Sequence, residues 1–233
     1  SATYPEEVRN FAKRIVPDAC RIDFKKEDLT LDTVQQMYAD CSRDPKRMKY
    51  QFLEDLYSAM NVGQSVIFVN TKHEAFELAE AMKAQGHSVA LITGTNTTGQ
   101  GERVDPEYRD RVMDEFREGI AKVLIATDVL ARGIDVPAVT LVINYQLPLI
   151  HGQRQDWASS QQYATQSGKS CDMECYLHRI GRTGRFGLKG ISINLCDHEE
   201  MMLQDQIRRF YNSNIECLDE DFEKLEDTLK ELR

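Results

Sequence analysis

Short runs of apolar residues alternate along the chain with stretches in which apolar residues recur at helical spacing. Residues 65–69 form a short apolar run, which is typical of a strand buried on both faces of a parallel sheet. Between Thr71, a predicted N-cap, and Gly86, a predicted stop, the spacing predicts a helix. The same reasoning predicts strands at 89–92, 123–126, 140–144 and 191–195, and helices at 46–60, 106–117 and 198–211. Because strands that alternate with helices form βαβ units, the predicted fold class is α/β, a parallel sheet sandwiched by helices.

Two segments depart from this alternation. Residues 149–173 are polar and rich in Gln and Ser, which predicts a long loop. Trp157, the one tryptophan, lies in this loop, and a local packing role is weighed above a base-stacking role for it. In residues 215–233, an apolar series at helical spacing runs from Phe222 to Leu232. This series predicts an acidic, amphipathic tail helix that packs on the domain or on a partner.

Composition excludes several classes of protein. With 233 residues, of which 41% are hydrophobic, the chain is long enough to bury a substantial core. Its apolar runs are far shorter than the ~20 residues that span a bilayer, and the first residues do not resemble a signal peptide, so no membrane partner is expected. The net charge of −9 disfavours sequence-blind attraction of nucleic acid by bulk charge. However, eight acidic and three basic residues lie between Asn214 and Arg233, so the rest of the chain has room for a local basic site.

The densest group of candidate functional residues is the segment His178 to Gly187, H-R-I-G-R-T-G-R-F-G. Arg182 and Arg185 are three positions apart, so one helical turn would present both guanidinium groups on the same side. Two planar guanidinium groups directed at one point suit a chain of phosphates. A solvated basic face is the alternative, but it does not need the glycines of this segment, which would let the backbone approach a ligand or another domain closely.

A second group of candidates directly follows the strand predicted at 123–126, and ligands of open parallel sheets bind at such strand ends. Thr127 offers a hydroxyl and an amide that suit a phosphodiester, and Asp135 offers a carboxylate that suits a ribose hydroxyl. The structural alternative has equal weight: Asp128 would cap a short helix and Asp135 would pair with Arg132.

Together these segments resemble the last two helicase motifs of the DEAD-box RNA helicases. The motifs are T-D-x-x-A-R-G-I-D at 127–135 and Y-L-H-R-I-G-R-T-G-R-F-G at 176–187, and their order and spacing agree with the family. The segments S-V-I-F-V-N-T at 65–71 and V-I-N-Y-Q-L-P at 142–148 resemble two further strand regions of the same domain. The resemblance covers residues 15–215 and implies the second RecA-like domain of an RNA helicase.

The resemblance implies an arrangement in domains. Residues 1–17 look like the end of the first RecA-like domain, because Ser-Ala-Thr at positions 1–3 matches the family's S-A-T motif. The remaining segments are expected to be a linker at 18–30, the second RecA-like domain at 31–214 and the tail helix at 215–233. The chain is then a fragment that begins inside the first domain and is inactive by itself as an ATPase. The phosphate-binding loop, the D-E-A-D carboxylates and the Mg²⁺ ligands are expected in that first domain, and no metal ligand is expected in this chain.

The resemblance also implies roles for individual residues in an RNA-stimulated ATPase that unwinds short duplexes or remodels RNA–protein complexes. ATP with Mg²⁺ is expected between the two domains, with Arg182 and Arg185 as arginine fingers and Gly133 and Asp135 beside the ribose. Contacts to the first domain are expected from Arg132, His178 and Arg179. Contacts to the RNA backbone are expected from Asn70, Thr71, Lys72, Gly94, Arg109 and Thr127.

Within the family, segments such as 30–38 and 86–91 resemble the mRNA-export helicases of the nuclear pore's cytoplasmic face. This likeness implies single-stranded or short-duplex RNA as substrate, with a nucleoporin and an inositol-phosphate-dependent activator as partners. It also implies a location in the cytoplasm and nucleus. Two positions depart from the family pattern: Tyr108 replaces the glutamine before Arg109, and Gln146 stands where an acidic residue is common.

Other interpretations have less support. Cys171, Cys175 and His178 have a spacing that suggests zinc, but a structural zinc site needs a fourth ligand and the sequence has no second close pair. Residues 168–170 have the Gly-Lys-Ser ending of a phosphate-binding loop but lack its first glycine. A docking module without ATPase function would suit the acidic charge and the tail, although it has no use for paired arginines. A third interpretation is half of a DNA helicase, which the complete pair of motifs at 127–135 and 176–187 disfavours.

Overall fold

A computed structural model provides the architecture, and it describes residues 6–17, 20, 33–60, 62–94, 106–128, 139–150, 169–184, 188–218, 222 and 225–228. Within these ranges the strands are β1 (Val34–Asp40), β2 (Gln64–Phe68), β3 (Val89–Ile92), β4 (Val123–Ala126), β5 (Val139–Asn144), β6 (Gly190–Cys196) and β7 (Ile215–Cys217). The helices are α1 (Glu6–Ile15), α2 (Pro45–Ala59), α3 (Lys72–Ala84), α4 (Pro106–Arg117), α5 (Met173–Ile180) and α6 (His198–Tyr211).

The strands form one parallel sheet in the order β3-β4-β2-β5-β6-β1-β7. Alternate residues of β2 point to opposite faces of the sheet. Ile67 belongs to a core that includes α2 and α3, whereas Val66 and Phe68 belong to a core that includes α4. A third cluster of buried side chains joins α5 and α6 to the sheet. The predicted parallel sheet sandwiched by helices is confirmed.

Most elements begin and end where the sequence pattern predicts. The predicted helix at 71–86 is α3, and Thr71 Oγ1 caps it by accepting a hydrogen bond from the amide of Glu74 at 3.2 Å. Its buried stripe consists of Ala75, Leu78, Ala79 and Met82. Strands β3 and β4 have the predicted bounds, and β2, β5 and β6 differ from prediction by one residue at one or both ends.

Strand β1 is an inner strand that the sequence pattern does not predict. Gln35 and Gln36 interrupt the apolar signal that a buried strand normally shows. In the fold, Gln36 is buried, and its Oε1 accepts a hydrogen bond from Tyr176 Oη at 2.9 Å. A polar side chain is tolerated in a core when it is hydrogen-bonded, and here its partner lies 140 residues away along the chain.

The prediction for the tail is wrong at its start. Residues 215–217 form β7, an edge strand parallel to β1, rather than the first turn of a helix. Three residues are too few to show the period of a strand. Further along, a helical turn at 225–228 buries Leu225, and the ring of Phe222 packs against that of Phe52 at 5.4 Å. The described part of the tail therefore packs on the domain, and residues 229–233 lie outside the described ranges.

Helix α1 is amphipathic, and its apolar side chains are exposed. Val8, Phe11 and Ile15 recur at helical spacing, and Phe11 is 63% exposed. The three clusters of buried residues in the described ranges contain no residue of α1. None of the described helices, α1 included, combines the length and the apolar character needed to cross a membrane.

Candidate functional site

The residues predicted to bind at strand ends lie along the carboxyl edge of β3, β4 and β2, which are neighbours in the sheet. Gly94 follows β3, and its amide donates a hydrogen bond to Thr127 Oγ1, beyond β4, at 3.2 Å. Asn70, Thr71 and Lys72 follow β2, where Thr71 is exposed and the other two are half-buried. Arg109 is half-buried on α4, whose apolar face packs against β3. The fold therefore brings Gly94 and Thr127 into contact and places residues 70–72 at the neighbouring strand end.

Arg179, on α5, is fully buried, and its guanidinium group is hydrogen-bonded inside this domain. Its Nε donates to Asp128 Oδ1 at 2.6 Å, and its Nη2 forms an ion pair with the same carboxylate. The Nη2 group also donates to Asn70 Oδ1 at 2.9 Å. The Nη1 group donates to the carbonyl of Gln146 at 2.6 Å and to Asn144 Oδ1 at 3.3 Å. This burial disagrees with the expectation from the sequence that Arg179 directly contacts another domain.

Arg182 lies beyond α5 in residues 181–184, which we call the arginine turn. Helix α5 ends at Ile180 with Gly181 as its C-cap, so Arg182 does not continue the helix. Its side chain is half-exposed, and its Nε donates to the carbonyl of His178 at 2.8 Å. The prediction that one helical turn presents two arginines is therefore wrong at Arg182, and Arg185 lies outside the described residues.

Two glycines let the arginine turn pack against its own sheet. Gly184 has a φ of +68°, and a Cβ there would lie 2.6 Å from Val34 Cγ2 at the start of β1. A Cβ on Gly190 would overlap Thr183 Oγ1 and lie 2.5 Å from the amide nitrogen of Gly184. Thr183 Oγ1 in turn donates to the carbonyl of Val139 at 2.9 Å. Packing within the domain explains Gly184, for which the sequence had suggested approach to a ligand or another domain.

We expect Gly190→Ala to destabilise the domain by about 1–3 kcal/mol, the usual cost of overpacking. The new methyl group would meet the backbone of Gly184, which cannot rotate away as a side chain would. Urea unfolding followed by circular dichroism measures the loss. Gly86→Ala is the control, because Gly86 has a φ of +89° but no atom near its Cβ position, so it shows the backbone cost alone, about 1 kcal/mol. An unchanged stability of Gly190→Ala would contradict this packing.

Several predicted residues cannot be placed, because they lie outside the described residues. They are Arg132, Gly133, Asp135 and Arg185, together with Trp157, residues 151–168 of the long loop, the first three residues and most of the 18–30 linker. His178 is described: it lies on α5 next to Arg179 and is 8% exposed.

Sequence reasoning missed the partners that organise this edge, above all Gln146. Its Oε1 accepts a hydrogen bond from the amide of Asn70 at 2.9 Å, and its Nε2 donates to Glu74 Oε1 at 2.6 Å. An acidic residue at this position could not donate to Glu74 and would repel it. The departure from the family pattern at 146 was the one available signal. Asp128, weighed as a helix cap, pairs with Arg179, and the short helix that it would cap lies outside the described residues.

The cysteines near this edge serve packing and hydrogen bonding. Cys175 Sγ donates to Asp128 Oδ1 at 3.1 Å, and burial raises the pKa of the Cys175 thiol to about 12. Burial also raises the pKa of the Cys171 thiol. Thiols of raised pKa stay protonated at neutral pH, whereas metal ligation needs thiolates. In the described ranges, no cluster of three or more His, Cys, Asp or Glu side chains is arranged to hold a metal ion.

Comparison with known sequences identifies a protein family that the chain matches. The helicase conserved C-terminal domain family matches residues 48–187. The ATP-dependent RNA helicase dbp5 of Aspergillus niger is 43% identical over 234 residues, which cover 99% of this chain and 44% of that protein. The chain thus spans less than half the length of this relative.

Three solved structures are similar to the chain in fold and sequence. S. cerevisiae Dbp5 bound to RNA and ADP-BeF3 has a TM-score of 0.78 and 36% identity, over 100% of this chain and 54% of that one. A variant of S. cerevisiae Dbp5 bound to Nup159, Gle1, IP6 and ADP has a TM-score of 0.70 and 33% identity, over 100% and 53%. The C-terminal domain of the DEAD-box protein Dbp5 has a TM-score of 0.67 and 36% identity, over 87% and 99%.

Proposed function

The chain belongs to the helicase C-terminal domain family of the DEAD-box proteins, and on this premise we propose that it is the second RecA-like half of an ATP-dependent RNA helicase. The position of the arginine turn carries the proposal. Arg182 is half-exposed beside α5. Arg179 of that helix is hydrogen-bonded to Asn70 and to Asp128, the residue that follows Thr127. A guanidinium group suited to phosphates, in a turn beside the amino ends of β5 and β1, is therefore joined through α5 to a row of groups suited to an RNA backbone at the carboxyl edge of the sheet.

On the nucleotide side, Arg182 and Arg185 are the proposed arginine fingers for ATP. Phosphoryl transfer depends mainly on positioning and on stabilising developing charge, which a guanidinium group at the γ-phosphate supplies. Arg182 fits this role, because the hydrogen bond from its Nε to the His178 carbonyl orients a half-exposed guanidinium. Gly133 and Asp135 are assigned to the ribose, and Mg²⁺ is assigned to ligands of the first RecA-like domain. Arg132 and His178 are assigned to the contact between the domains.

On the RNA side, all the proposed contacts except Arg109, which lies on α4, follow the carboxyl ends of three adjacent strands. The proposed contacts are Asn70, Thr71, Lys72, Gly94, Arg109 and Thr127. The hydrogen bond between Gly94 and Thr127 joins two of these strand ends, and Gln146 holds the amide of Asn70 at the third. Contacts of this kind grip the sugar–phosphate backbone, so we expect little sequence preference.

The proposed domain arrangement keeps residues 1–17 as the end of a first RecA-like domain and 18–30 as the linker. The exposed apolar face of α1 supports this arrangement, because such a face is buried when its own domain is complete. The second domain extends from about residue 31 through β7, so its boundary lies beyond the 214 predicted from the sequence.

The proposal includes a role in mRNA export at the cytoplasmic face of the nuclear pore. Similar proteins have been solved with RNA, and with Nup159, Gle1 and IP6. By this likeness the partners of the chain are single-stranded or short-duplex RNA, its own first domain, a nucleoporin and an inositol-phosphate-dependent activator. The protein is then found in the cytoplasm and nucleus.

Steady-state ATP hydrolysis, with and without RNA, tests the proposal. We expect this chain by itself to be inactive and the whole protein, with its first RecA-like domain, to be stimulated by RNA. Each half of the site lacks groups that the other half supplies. Hydrolysis by the chain alone would mean that it holds a complete phosphate site, which contradicts the proposal. A whole protein that neither hydrolyses ATP nor gains activity when its activator is added would favour the docking module.

A further inference from the structure

The guanidinium group of Arg179 joins three neighbouring strand ends through one planar group. Its partners are Asp128 beyond β4, Asn70 beyond β2, and Asn144 and Gln146 at the end of β5. The ring of Phe68 lies 5.2 Å from the guanidinium carbon and covers one face of it. Because the group is fully buried and reaches all three strand ends, α5 cannot shift against this edge without breaking several hydrogen bonds.

The same helix carries the arginine turn. The amide of Arg182 donates to the carbonyl of Arg179 at 3.1 Å, and Arg182 Nε donates to the carbonyl of His178 at 2.8 Å. Arg182 is thus connected through the first hydrogen-bonded turn beyond α5 to the residue that contacts Asn70. The arginine turn and the Asn70 turn are therefore linked through α5 and the side chain of Arg179.

The turn at Asn70 is equally well connected. Its Oδ1 accepts from Arg179, its Nδ2 donates to the carbonyl of Leu147 at 2.8 Å, and its amide donates to Gln146. All three contacts lead to α5 or to the segment after β5. The orientation of Asn70, and with it the start of the Thr71–Lys72 turn, therefore depends on where Arg179 lies.

We propose that Arg179 is a positioning residue that couples RNA binding to nucleotide binding by holding the Asn70 turn and the arginine turn in one fixed arrangement. This inference rests on the proposed function, because it presumes that RNA and ATP bind on these two sides. Lysine cannot replace arginine in this role. It retains the charge beside Asp128, but its single nitrogen cannot reach three strand ends at once.

The test measures how much RNA tightens nucleotide binding by the whole protein. A fluorescent ATP analogue is titrated with and without a saturating single-stranded oligouridine RNA, and the ratio of the two dissociation constants is the coupling factor. A coupling of about 5–150-fold is typical of linked sites. We expect wild type to lie in that range, and Arg179→Lys to bring the factor within about twofold of unity. Thermal unfolding of each variant is recorded in parallel.

Arg208→Lys is the matched control. Arg208 also uses its guanidinium inside the domain, donating to the carbonyl of Ile215 and lying 5.1 Å from the ring of Tyr38, but it contacts neither binding side. We expect this variant to keep the wild-type coupling factor even if its melting temperature falls. A folded Arg179→Lys protein with wild-type coupling would overturn the inference.

A second variant decides the case if Arg179→Lys does not fold. Asp128→Asn keeps an oxygen for Arg179 but removes the charge that holds the guanidinium. We expect a reduced coupling factor, and an unchanged one would overturn the inference. If RNA stimulates hydrolysis by the wild type but the variants keep the wild-type coupling factor, only this inference is overturned. If RNA does not stimulate hydrolysis by the wild type even when its activator is present, the proposed function is overturned as well.

Discussion

Arg182→Ala is expected to lower RNA-stimulated ATP hydrolysis by the whole helicase about 10³–10⁵-fold, the usual effect of removing an arginine finger. The reason is that, in the role proposed for it, the guanidinium would stabilise charge that develops only during phosphoryl transfer. The fold should tolerate the change, because the side chain is half-exposed and its Nε contact is to the His178 carbonyl near the end of α5. Steady-state hydrolysis at saturating RNA measures the loss, and fluorescence anisotropy should show RNA affinity largely retained.

Arg117→Ala is the control for this substitution. Arg117 is half-exposed on α4, where it pairs with Asp114 at 3.0 Å, away from the arginine turn. Its loss should leave hydrolysis within about twofold of wild type, since exposed pairs contribute little. If Arg182→Ala hydrolyses ATP as fast as Arg117→Ala does, Arg182 does not act as an arginine finger.

Lys49→Met is expected to lower the free energy of unfolding by about 3–5 kcal/mol, because it breaks a buried ion pair by removing one partner. Lys49 Nζ pairs with the Glu200 carboxylate and donates to the carbonyl of Tyr145 at 2.9 Å. Glu200 also accepts from the amide of Leu147 at 3.0 Å, so the pair anchors the segment that follows β5. Urea unfolding of the variant and the wild type measures the difference.

The cost of Lys49→Met should depend on pH. Burial raises the pKa of Glu200, and Lys49 opposes that shift. Without Lys49, the folded protein holds a proton on Glu200 more tightly than the unfolded chain does, so stability falls as pH rises above the ordinary glutamate value of about 4.3. The loss should therefore be larger at about pH 8 than at about pH 5.

Lys49→Met combined with Glu200→Gln is the control for the ion pair. An amide at 200 can still accept from Leu147 but carries no charge that needs compensation. The double variant should recover part of the lost stability. Its stability loss relative to wild type should no longer be larger at about pH 8 than at about pH 5 for the reason given for Lys49→Met. A double variant less stable than Lys49→Met at every pH would show that side-chain packing, rather than an uncompensated charge, dominates the cost.

Elements with strong local signals were predictable. Strands β3 and β4 are short apolar runs, and α3 begins at a side-chain cap, so their bounds follow from neighbouring residues alone. Strand β1 was not predictable, because Gln36 satisfies its polar group with Tyr176, far away in the chain. Strand β7 was missed because three residues show no period, and its partner strand makes it ordered.

The candidate site divides in the same way. Residue types and spacing identified the segments that contain Thr127, Arg179 and Arg182, because each motif is contiguous in the chain. Their geometry was not readable. The sequence suggested a helical arginine pair, whereas α5 ends before Arg182, and it placed Arg179 at a domain interface, whereas that side chain is fully buried.

The sequence by itself therefore determined the α/β class, most of the helices and strands, and the family of the chain, because periodicity and motifs are properties of adjacent residues. Only the tertiary structure decided which groups meet. Asp128, Asn70 and Asn144 come from three separate strand ends, and the parallel sheet places them around one guanidinium. Gly190 must be glycine because Gly184 packs against it from another element. Contacts of this kind depend on chain segments brought together by folding, which no local pattern encodes.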